Sequence, residues 1–307
     1  MLPVVFHPAY SIPLPAGHRF PMPKFVRLFA RLQAQGLARA PWLFTPELAP
    51  RAWLETVHDP AYVTAILEQR LSSDAQRRLG LPLSPELARR SQAAVAGTLL
   101  AARLALEHGI ACNTAGGSHH AYRDFGSGYC VFNDVAVAAT MLLDEGSVRR
   151  VLVIDLDVHQ GDGTAAILAS DPRAWTFSIH CGHNFPVRKQ QSDLDVTLDK
   201  GVGDQGYMMA LEAALPPLLA RLRPDLAFYV AGVAPHVEDR LGRLALSDEG
   251  LRRRERFVIE ACLHRGIPLA GTLGGGYAPD MESLATRHAI LFEEAASALR
   301  RQAARAG

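Results

Sequence analysis

The chain has 307 residues, of which 49% are hydrophobic, and this is enough to bury a large core and excludes a disordered or fibrous protein. Lysine and arginine number 32 against 31 aspartates and glutamates, so the near-neutral charge predicts neither a nucleic-acid partner nor an anionic membrane partner. The four cysteines form no C-x-x-C pair, which excludes a disulfide framework and a thiolate metal site. We find no signal-peptide pattern and no apolar stretch near the roughly 20 residues that span a bilayer, and we therefore expect a cytoplasmic protein.

The predicted elements alternate between helices and strands along the chain. Helical periodicity predicts helices over residues 24–35, 87–108, 133–145, 208–222, 248–265 and 282–305. Apolar runs rich in β-branched and aromatic residues predict strands, buried on both faces, over residues 151–158, 175–180, 226–231 and 268–273. This alternation predicts an α/β fold with a mainly parallel central sheet flanked by helices on both faces. No linker or repeat divides the chain, so we expect a single domain over residues 1–307.

The helix over residues 87–108 has the clearest boundaries. Ser84 is a suitable N-cap, Pro85 fits the first helical position, and Gly109 follows the last turn. Ligands of parallel α/β sheets bind beyond the carboxyl ends of the strands. We therefore look there for polar residues that folding does not require.

The segment VLVIDLDVHQGDG ends its predicted strand with Asp155, Asp157 and His159. Their spacing of two places all three on one face of a strand. Burying two carboxylates and an imidazole together is unfavourable unless a cation binds them, and zinc, iron or cobalt accepts this mixture of oxygen and nitrogen ligands. The alternative is a pair of strand-end carboxylates that caps the following turn and helix.

The segment GGSHHAYRDFGSGYC contains the neighbouring histidines His119 and His120. Neighbouring side chains on a strand point to opposite faces, so both reach one site only if the glycines form an irregular loop. Asp155 and Asp162 are available to orient the two imidazoles, and a carboxylate partner makes an imidazole a better general base. The alternative is one hydrogen-bonded core histidine and one surface histidine.

Two glycine-rich segments contain candidate substrate-binding residues. In TLGGGYAP, the glycine run that includes Gly275 permits close approach to a ligand, and Tyr277 can donate a hydrogen bond to a developing oxyanion. In GSGY, Gly128 and Tyr129 are typical of the wall of a narrow apolar channel. The alternative for Tyr277 is a tyrosine that packs on a helix after a flexible turn. The alternative for the GSGY segment is an ordinary turn.

Together these motifs resemble the histone deacetylase family of the arginase/deacetylase superfamily, especially its bacterial class IV-like members. The resemblance extends from residue 7 to residue 280 in the family's own order. It is carried by HPAYSIPLPAGHRFPM, GGSHHAYRDFGSGYCVFND, IDLDVHQGDGT, RKQQSDLDV, AGVAPHVEDRLGRLALS and LGGGYAPD.

The resemblance implies a zinc-dependent amidohydrolase that removes an acyl group from an acyl-lysine peptide or protein, or from an acylated polyamine. It implies that Asp157 and His159 are zinc ligands and that Tyr277 is the oxyanion donor. It further implies that Asp155 orients His119, that Asp162 orients His120, and that His120 moves the proton of a metal-activated water.

Further residues are assigned by the same resemblance. Gly128 and Tyr129 correspond to the channel wall, and Arg19 corresponds to an arginine lining an internal cavity near the acyl group. A structural potassium ion is implied as well, held by Asp155, Ser178 and backbone carbonyls of Asp157, His159 and Ile179.

One position departs from the family pattern. The third zinc ligand of the family is an aspartate, whereas this chain has Ala234 between Val233 and Pro235. An alanine has no donor atom, so we expect weak zinc binding or none. His236 is a candidate replacement, but Pro235 restricts the backbone between the two positions.

Three explanations of Ala234 remain open at this point. An engineered aspartate-to-alanine change leaves every other catalytic position in place, as here, and we favour it. The others are a natural pseudoenzyme that binds acyl chains without catalysis and a working enzyme with altered ligation. Arginase-like chemistry needs ligands for two manganese ions, and a serine hydrolase needs G-x-S-x-G; the sequence has neither.

Overall fold

A computed structural model describes the chain over residues 1–306. The strands are β1 Val4–Val5, β2 Leu43–Phe44, β3 Ile110–Asn113, β4 Val151–Asp155, β5 Ala174–Cys181, β6 Leu194–Leu198, β7 Leu226–Val230 and β8 Leu269–Thr272. The helices are α1 Lys24–Ala34, α2 Arg51–Leu54, α3 Pro60–Leu67, α4 Ser73–Leu79, α5 Pro85–His108, α6 Asp134–Asp144, α7 Asp162–Leu168, α8 Asp204–Leu222, α9 Asp248–Leu263 and α10 Met281–Ala306. A short 3-10 helix covers Pro8–Tyr10.

All eight strands belong to one sheet with the order β2-β1-β3-β8-β7-β4-β5-β6. Every pair is parallel, as predicted. The central strands β4, β7 and β8 are buried along their whole length, because helices cover both faces of the sheet. In one group of helices α5 packs on α6, and in the other α10 packs on α1 and α9. The predicted α/β architecture is confirmed.

The predicted boundaries of α5 follow from its end residues. The Ser84 hydroxyl accepts a hydrogen bond from the Leu87 N–H, and Pro85 occupies the first turn. Gly109, with φ +84°, ends the helix. The other five predicted helices are also present, and the largest difference is α8, which begins at Asp204 rather than at residue 208.

The prediction for β4 is wrong at its carboxyl end. The strand stops at Asp155 instead of continuing to Val158, so Asp157 and His159 lie in the following loop rather than on a strand face. Asp155 Oδ1 accepts from the Asp157 N–H at 3.1 Å, and Asp157 Oδ1 accepts from the His159 N–H at 3.0 Å. These two local turns satisfy backbone donors that the sheet would otherwise pair.

Within the described part of the chain, no helix combines the length and the apolar character that a membrane crossing requires.

Candidate functional site

Four loops meet at the end of the sheet where the parallel strands have their carboxyl ends. The strands β3, β8, β7 and β4 are neighbours in that order, and each is followed by one of the segments singled out from the sequence. These segments are GGSHH after β3, LGGGY after β8, AGVAPH after β7 and LDVH after β4. Parallel strands therefore bring together residues that are far apart in the sequence.

The loop after β3 has the irregular geometry that two neighbouring histidines require. Gly116 and Gly117 have φ values of +84° and +78°, which side chains rarely adopt. The Asp134 carboxylate at the start of α6 fixes the loop by accepting from the N–H groups of Gly117 and Ser118. The imidazole rings of residues 119 and 120 consequently lie with their centroids 4.1 Å apart and face the same site.

Each of the two histidines has its own carboxylate. His119 Nδ1 lies 2.6 Å from Asp155 Oδ2, and His120 Nδ1 lies 2.5 Å from Asp162 Oδ1. All four side chains are at most 5% exposed. A proton held on Nδ1 by the carboxylate leaves Nε2 as the acceptor, which is the arrangement needed in a general base.

The two imidazoles differ in protonation. Burial alone lowers the pKa of His119, but the Asp155 carboxylate outweighs burial and raises that pKa to about 9. Burial and, to a smaller extent, the positive charge on His119 together lower the pKa of His120 to about 4. At neutral pH one ring is therefore charged and its neighbour is neutral, so the neutral ring can accept a proton.

Asp157 and His159 also converge. The fully buried Asp157 Oδ1 lies 3.1 Å from His159 Nδ1, and its Oδ2 accepts from the Gly275 N–H at 2.6 Å. Burial alone would raise the pKa of the Asp157 carboxyl group. Hydrogen bonds from His159 and the positive charge on His119 nevertheless hold that pKa below its usual range. Two potential metal ligands thus stand side by side.

Ala234 occupies the position where the resemblance implies a third ligand, and it is fully buried. His236 does not replace it, because its Nε2 lies 3.2 Å from an Asp248 oxygen. Asp239 does not replace it either, because its carboxylate accepts from backbone N–H groups of its own loop and of the LGGGY segment. Over residues 1–306, no three His, Cys, Asp or Glu side chains are grouped to hold a metal ion. The residues present therefore do not complete the implied zinc site.

Tyr277 lies where two cavities meet. The outer cavity, of about 410 Å³, lies between Arg78 and Leu241. The inner cavity, of about 40 Å³, lies between Lys24 and Gly274. Both are lined by His120, Gly128, Tyr129, His159 and Tyr277. Burial and the nearby Asp157 carboxylate raise the pKa of Tyr277, so its phenol stays protonated and able to donate.

The inner cavity contains two cations that the sequence analysis missed. Arg19, expected to line an internal cavity, is exposed and lines neither cavity. Lys24 and Arg90 line the inner cavity instead, and both are nearly fully buried. Lys24 Nζ donates to the Gly274 carbonyl at 3.3 Å, and burial lowers its pKa to about 8. The only sequence signal was a lysine on the otherwise apolar face of a predicted helix.

The expected potassium ligands lie behind the histidines. Ser178 on β5 is in register with Asp155 on β4, so the two side chains stand on adjacent strands. The Ser178 hydroxyl lies 3.0 Å from His180 Nδ1. Ile179, which follows in β5, is fully buried. The structure thus brings the expected potassium-site residues to one end of the sheet, and the ion itself stays a prediction.

Comparison with known proteins gives concordant matches. A model of the histone deacetylase domain family matches residues 18–292. An uncharacterized protein of Picosynechococcus sp. is 52% identical over 293 residues, covering 95% of this chain and 98% of that protein. Acetoin utilization protein AcuC of Staphylococcus aureus is 30% identical over 258 residues, covering 76% of this chain and 65% of AcuC.

A plant protein and a solved structure extend the comparison. Histone deacetylase 2 of Arabidopsis thaliana is 33% identical over 186 residues, which is 60% of this chain and 48% of the plant protein. The crystal structure of the HDA15 HD domain superposes with a TM-score of 0.79 at 21% identity, covering 96% of this chain and 88% of that structure. At that identity the superposition shows the fold alone, which is of the arginase/deacetylase type. The family model, matched over most of the sequence, shows that this chain belongs to the histone deacetylase family.

Proposed function

We propose that this chain has the substrate channel and proton-handling residues of a deacylase of acylated amines, and that Ala234 impairs hydrolysis. One observation carries the proposal: His120, His159 and Tyr277 meet at the junction of the outer and inner cavities. An acyl-amine chain threaded through the outer cavity would bring its carbonyl group to this junction. Membership of the histone deacetylase family supports the same class of substrate.

His119, His120 and Tyr277 would each have a separate role in the reaction at that junction. Neutral His120 would accept a proton through Nε2 and return one to the departing amine, while charged His119 would stabilise negative charge nearby. The protonated Tyr277 phenol would donate a hydrogen bond to the carbonyl oxygen as negative charge develops on it. Water attack on the amide would release a carboxylate and an amine.

The acyl group that fits this site is short. The inner cavity beyond the junction has a volume of about 40 Å³, and its lining includes Phe20, Phe25 and Lys24. A cavity needs ~10–15 Å³ of such space to hold one water molecule, so this space fits a few heavy atoms. We therefore infer that acetyl groups are accommodated better than long acyl chains.

The surroundings of Ala234 favour the replacement of a single residue in a catalytic site over the loss of several catalytic residues. Both histidine–carboxylate pairs and the Asp157–His159 pair lie within hydrogen-bond distance, and Tyr277 lines the same cavity. A protein freed from catalysis would be expected to lose several of these groups. We therefore favour an engineered aspartate-to-alanine change. The second candidate is a natural acyl-chain binder without catalysis, which the missing donor at residue 234 supports.

The test compares the chain with Ala234→Asp and with the uncharged, similarly sized control Ala234→Asn. Hydrolysis of a fluorogenic acetyl-lysine peptide and bound zinc are measured for all three proteins. We expect Ala234→Asp to raise zinc affinity by roughly 10- to 100-fold or more and to restore hydrolysis, and Ala234→Asn to do neither. Equal hydrolysis by the unchanged chain and Ala234→Asp would contradict the impairment. Acetyl-lysine binding without hydrolysis by any of the three proteins would instead identify a binder.

A further inference from the structure

The mouth of the outer cavity has charge of one sign. Among the described residues, Arg77 and Arg78 are the charged side chains other than histidines that line this cavity, and no carboxylate lines it. Both arginines are exposed at the end of α4. A substrate whose amine-bearing part projects from the channel must therefore pass two guanidinium groups.

The position of these arginines is fixed by the channel wall. The Leu79 carbonyl, directly after Arg78, accepts from the Tyr129 N–H at 2.9 Å. Arg78 also lies over the Phe125 ring, with its guanidinium carbon 4.7 Å from the ring centroid. These contacts hold the end of α4 beside the channel.

Helix stability explains why basic residues stand at the end of α4, but it does not explain why only one of the two arginines is paired. Basic residues in a last helical turn interact favourably with the helix dipole, which accounts for an arginine at either position. Arg77 also pairs with Asp74 one turn earlier. Arg78, by contrast, makes no ion pair with any residue in the part of the chain that the structure describes. One guanidinium group at the mouth is thus available to a ligand.

Another part of the outer-cavity lining is apolar. The side chains of Phe185 and Leu241 line it and remain 43% and 36% exposed. The Phe185 ring stands edge-on to His120 with the centroids 4.9 Å apart, so this apolar part adjoins the junction of the cavities. The mouth therefore combines a cationic part with an apolar part.

We propose that this mouth selects acylated amines whose amine-bearing part is anionic, such as an acyl-lysine flanked by acidic residues. The inference rests on the proposed function and chooses between its two substrate classes. Opposite charges attract across the mouth, whereas the remaining ammonium groups of an acylated polyamine would be repelled by Arg77 and Arg78. The acyl-lysine peptide is therefore the favoured class and the polyamine the disfavoured one.

The test uses three fluorescein-labelled peptides that contain the same central acetyl-lysine, flanked by glutamate, glutamine or lysine. Fluorescence polarisation measures their binding to the full chain at low and high salt, and a peptide with unmodified lysine measures background. We expect the glutamate peptide to bind roughly two- to fivefold more tightly than the glutamine peptide, with the lysine peptide weakest. High salt should remove these differences.

Two charge-matched double variants locate the effect. Arg77→Gln with Arg78→Gln should abolish the preference, whereas Arg221→Gln with Arg253→Gln, which removes the same charge from exposed positions outside both cavities, should keep it. The same order is expected for kcat/KM after Ala234→Asp. Equal binding of all three acetylated peptides would overturn this inference and leave the proposed function standing. Absence of acetyl-dependent binding to every peptide would overturn both.

Discussion

Gly232 lies so close to Asp157 that a Cβ atom at residue 232 would stand 1.9 Å from the Asp157 Oδ2 atom. The loop after β7 and the loop after β4 therefore pack backbone against carboxylate. We expect Gly232→Ala to displace the Asp157 carboxylate and to lower the free energy of unfolding by about 1–3 kcal/mol. Urea denaturation measures this change.

The same substitution in the Ala234→Asp protein should weaken zinc binding, because Asp157 would lose its position beside His159. Gly203→Ala is the matched control, since the nearest atom to its added Cβ is the Ala245 carbonyl oxygen at 3.4 Å. Unchanged stability and unchanged zinc affinity in Gly232→Ala would contradict this prediction, because they would show that the two loops accommodate the added methyl group.

Tyr277→Phe, made in the Ala234→Asp protein, should keep zinc binding and lower kcat by about 10²–10³-fold. The reason is that this change removes one donor to the developing oxyanion and leaves the metal ligands in place. Tyr62→Phe removes a buried phenol whose hydroxyl donates to the Val131 carbonyl, and it should leave turnover nearly unchanged. Undiminished turnover in the Tyr277 variant would remove this residue from the reaction.

The inner cavity predicts selectivity for acyl length. For the Ala234→Asp protein we expect kcat/KM to fall when the acetyl group of a peptide substrate is replaced by a decanoyl group, because the chain would meet Phe20, Phe25 and Lys24. Phe25→Ala should enlarge the cavity and reduce the difference between the two substrates. Equal kcat/KM for the acetyl and decanoyl peptides, without the Phe25 substitution, would be inconsistent with so small an inner cavity.

Arg254 joins the two loops that carry Asp157 and Ala234. This fully buried guanidinium group donates to the carbonyls of Leu156 and Gly232 and pairs with Glu255 at 2.5 Å. Arg254→Met would leave Glu255 buried without its cation, and we expect a loss of about 3–5 kcal/mol in the free energy of unfolding. Adding Glu255→Leu should recover part of that loss. A double variant less stable than Arg254→Met would contradict this account.

His58 should make stability depend on pH. Burial lowers its pKa from 6.5 to about 4 and outweighs the hydrogen bond to the Tyr122 carbonyl, which acts in the opposite direction. The neutral ring accepts from the Asn133 N–H on its other side. The stability that this ring contributes is thus fully present above pH 6.5 and is lost as the pH falls towards 4. Between pH 7.5 and pH 5 the loss should be about 2 kcal/mol.

Urea denaturation at both pH values checks this prediction. His58→Gln should make the fall in stability between pH 7.5 and pH 5 shallower by that amount, and His264→Gln, at an exposed position, should leave it as in the parent protein. An equally steep fall in all three proteins would argue against a neutral, buried His58.

Sequence patterns predicted the long elements well because burial and periodicity dominate there. The Ser84 cap and Gly109 placed α5 correctly, and the apolar runs located β4, β5, β7 and β8. The missed strands lack such a run: β1 has two residues, and β6, LDVTL, is only partly buried and has no continuous apolar segment. The single-domain organisation stays a prediction.

The site was predicted in composition and only partly in geometry. The pairing of His119 with Asp155 and of His120 with Asp162 was expected, and the structure brings both pairs within hydrogen-bond distance. The early end of β4 was not expected, because local carboxylate-to-backbone hydrogen bonds compete with the sheet in a way that alternation does not reveal. Arg19 was expected in a cavity that Lys24 of α1 and Arg90 of α5 line instead, because Arg19 lies in an exposed bend before α1.

The buried methyl group of Ala234 has a practical consequence. Under the proposed impairment, a ligand that enters this channel would leave with its amide bond intact, so mild elution of the purified protein followed by mass spectrometry would give the mass of the whole native ligand. If the proposed impairment by Ala234 holds, the protein would thereby report its own physiological substrate.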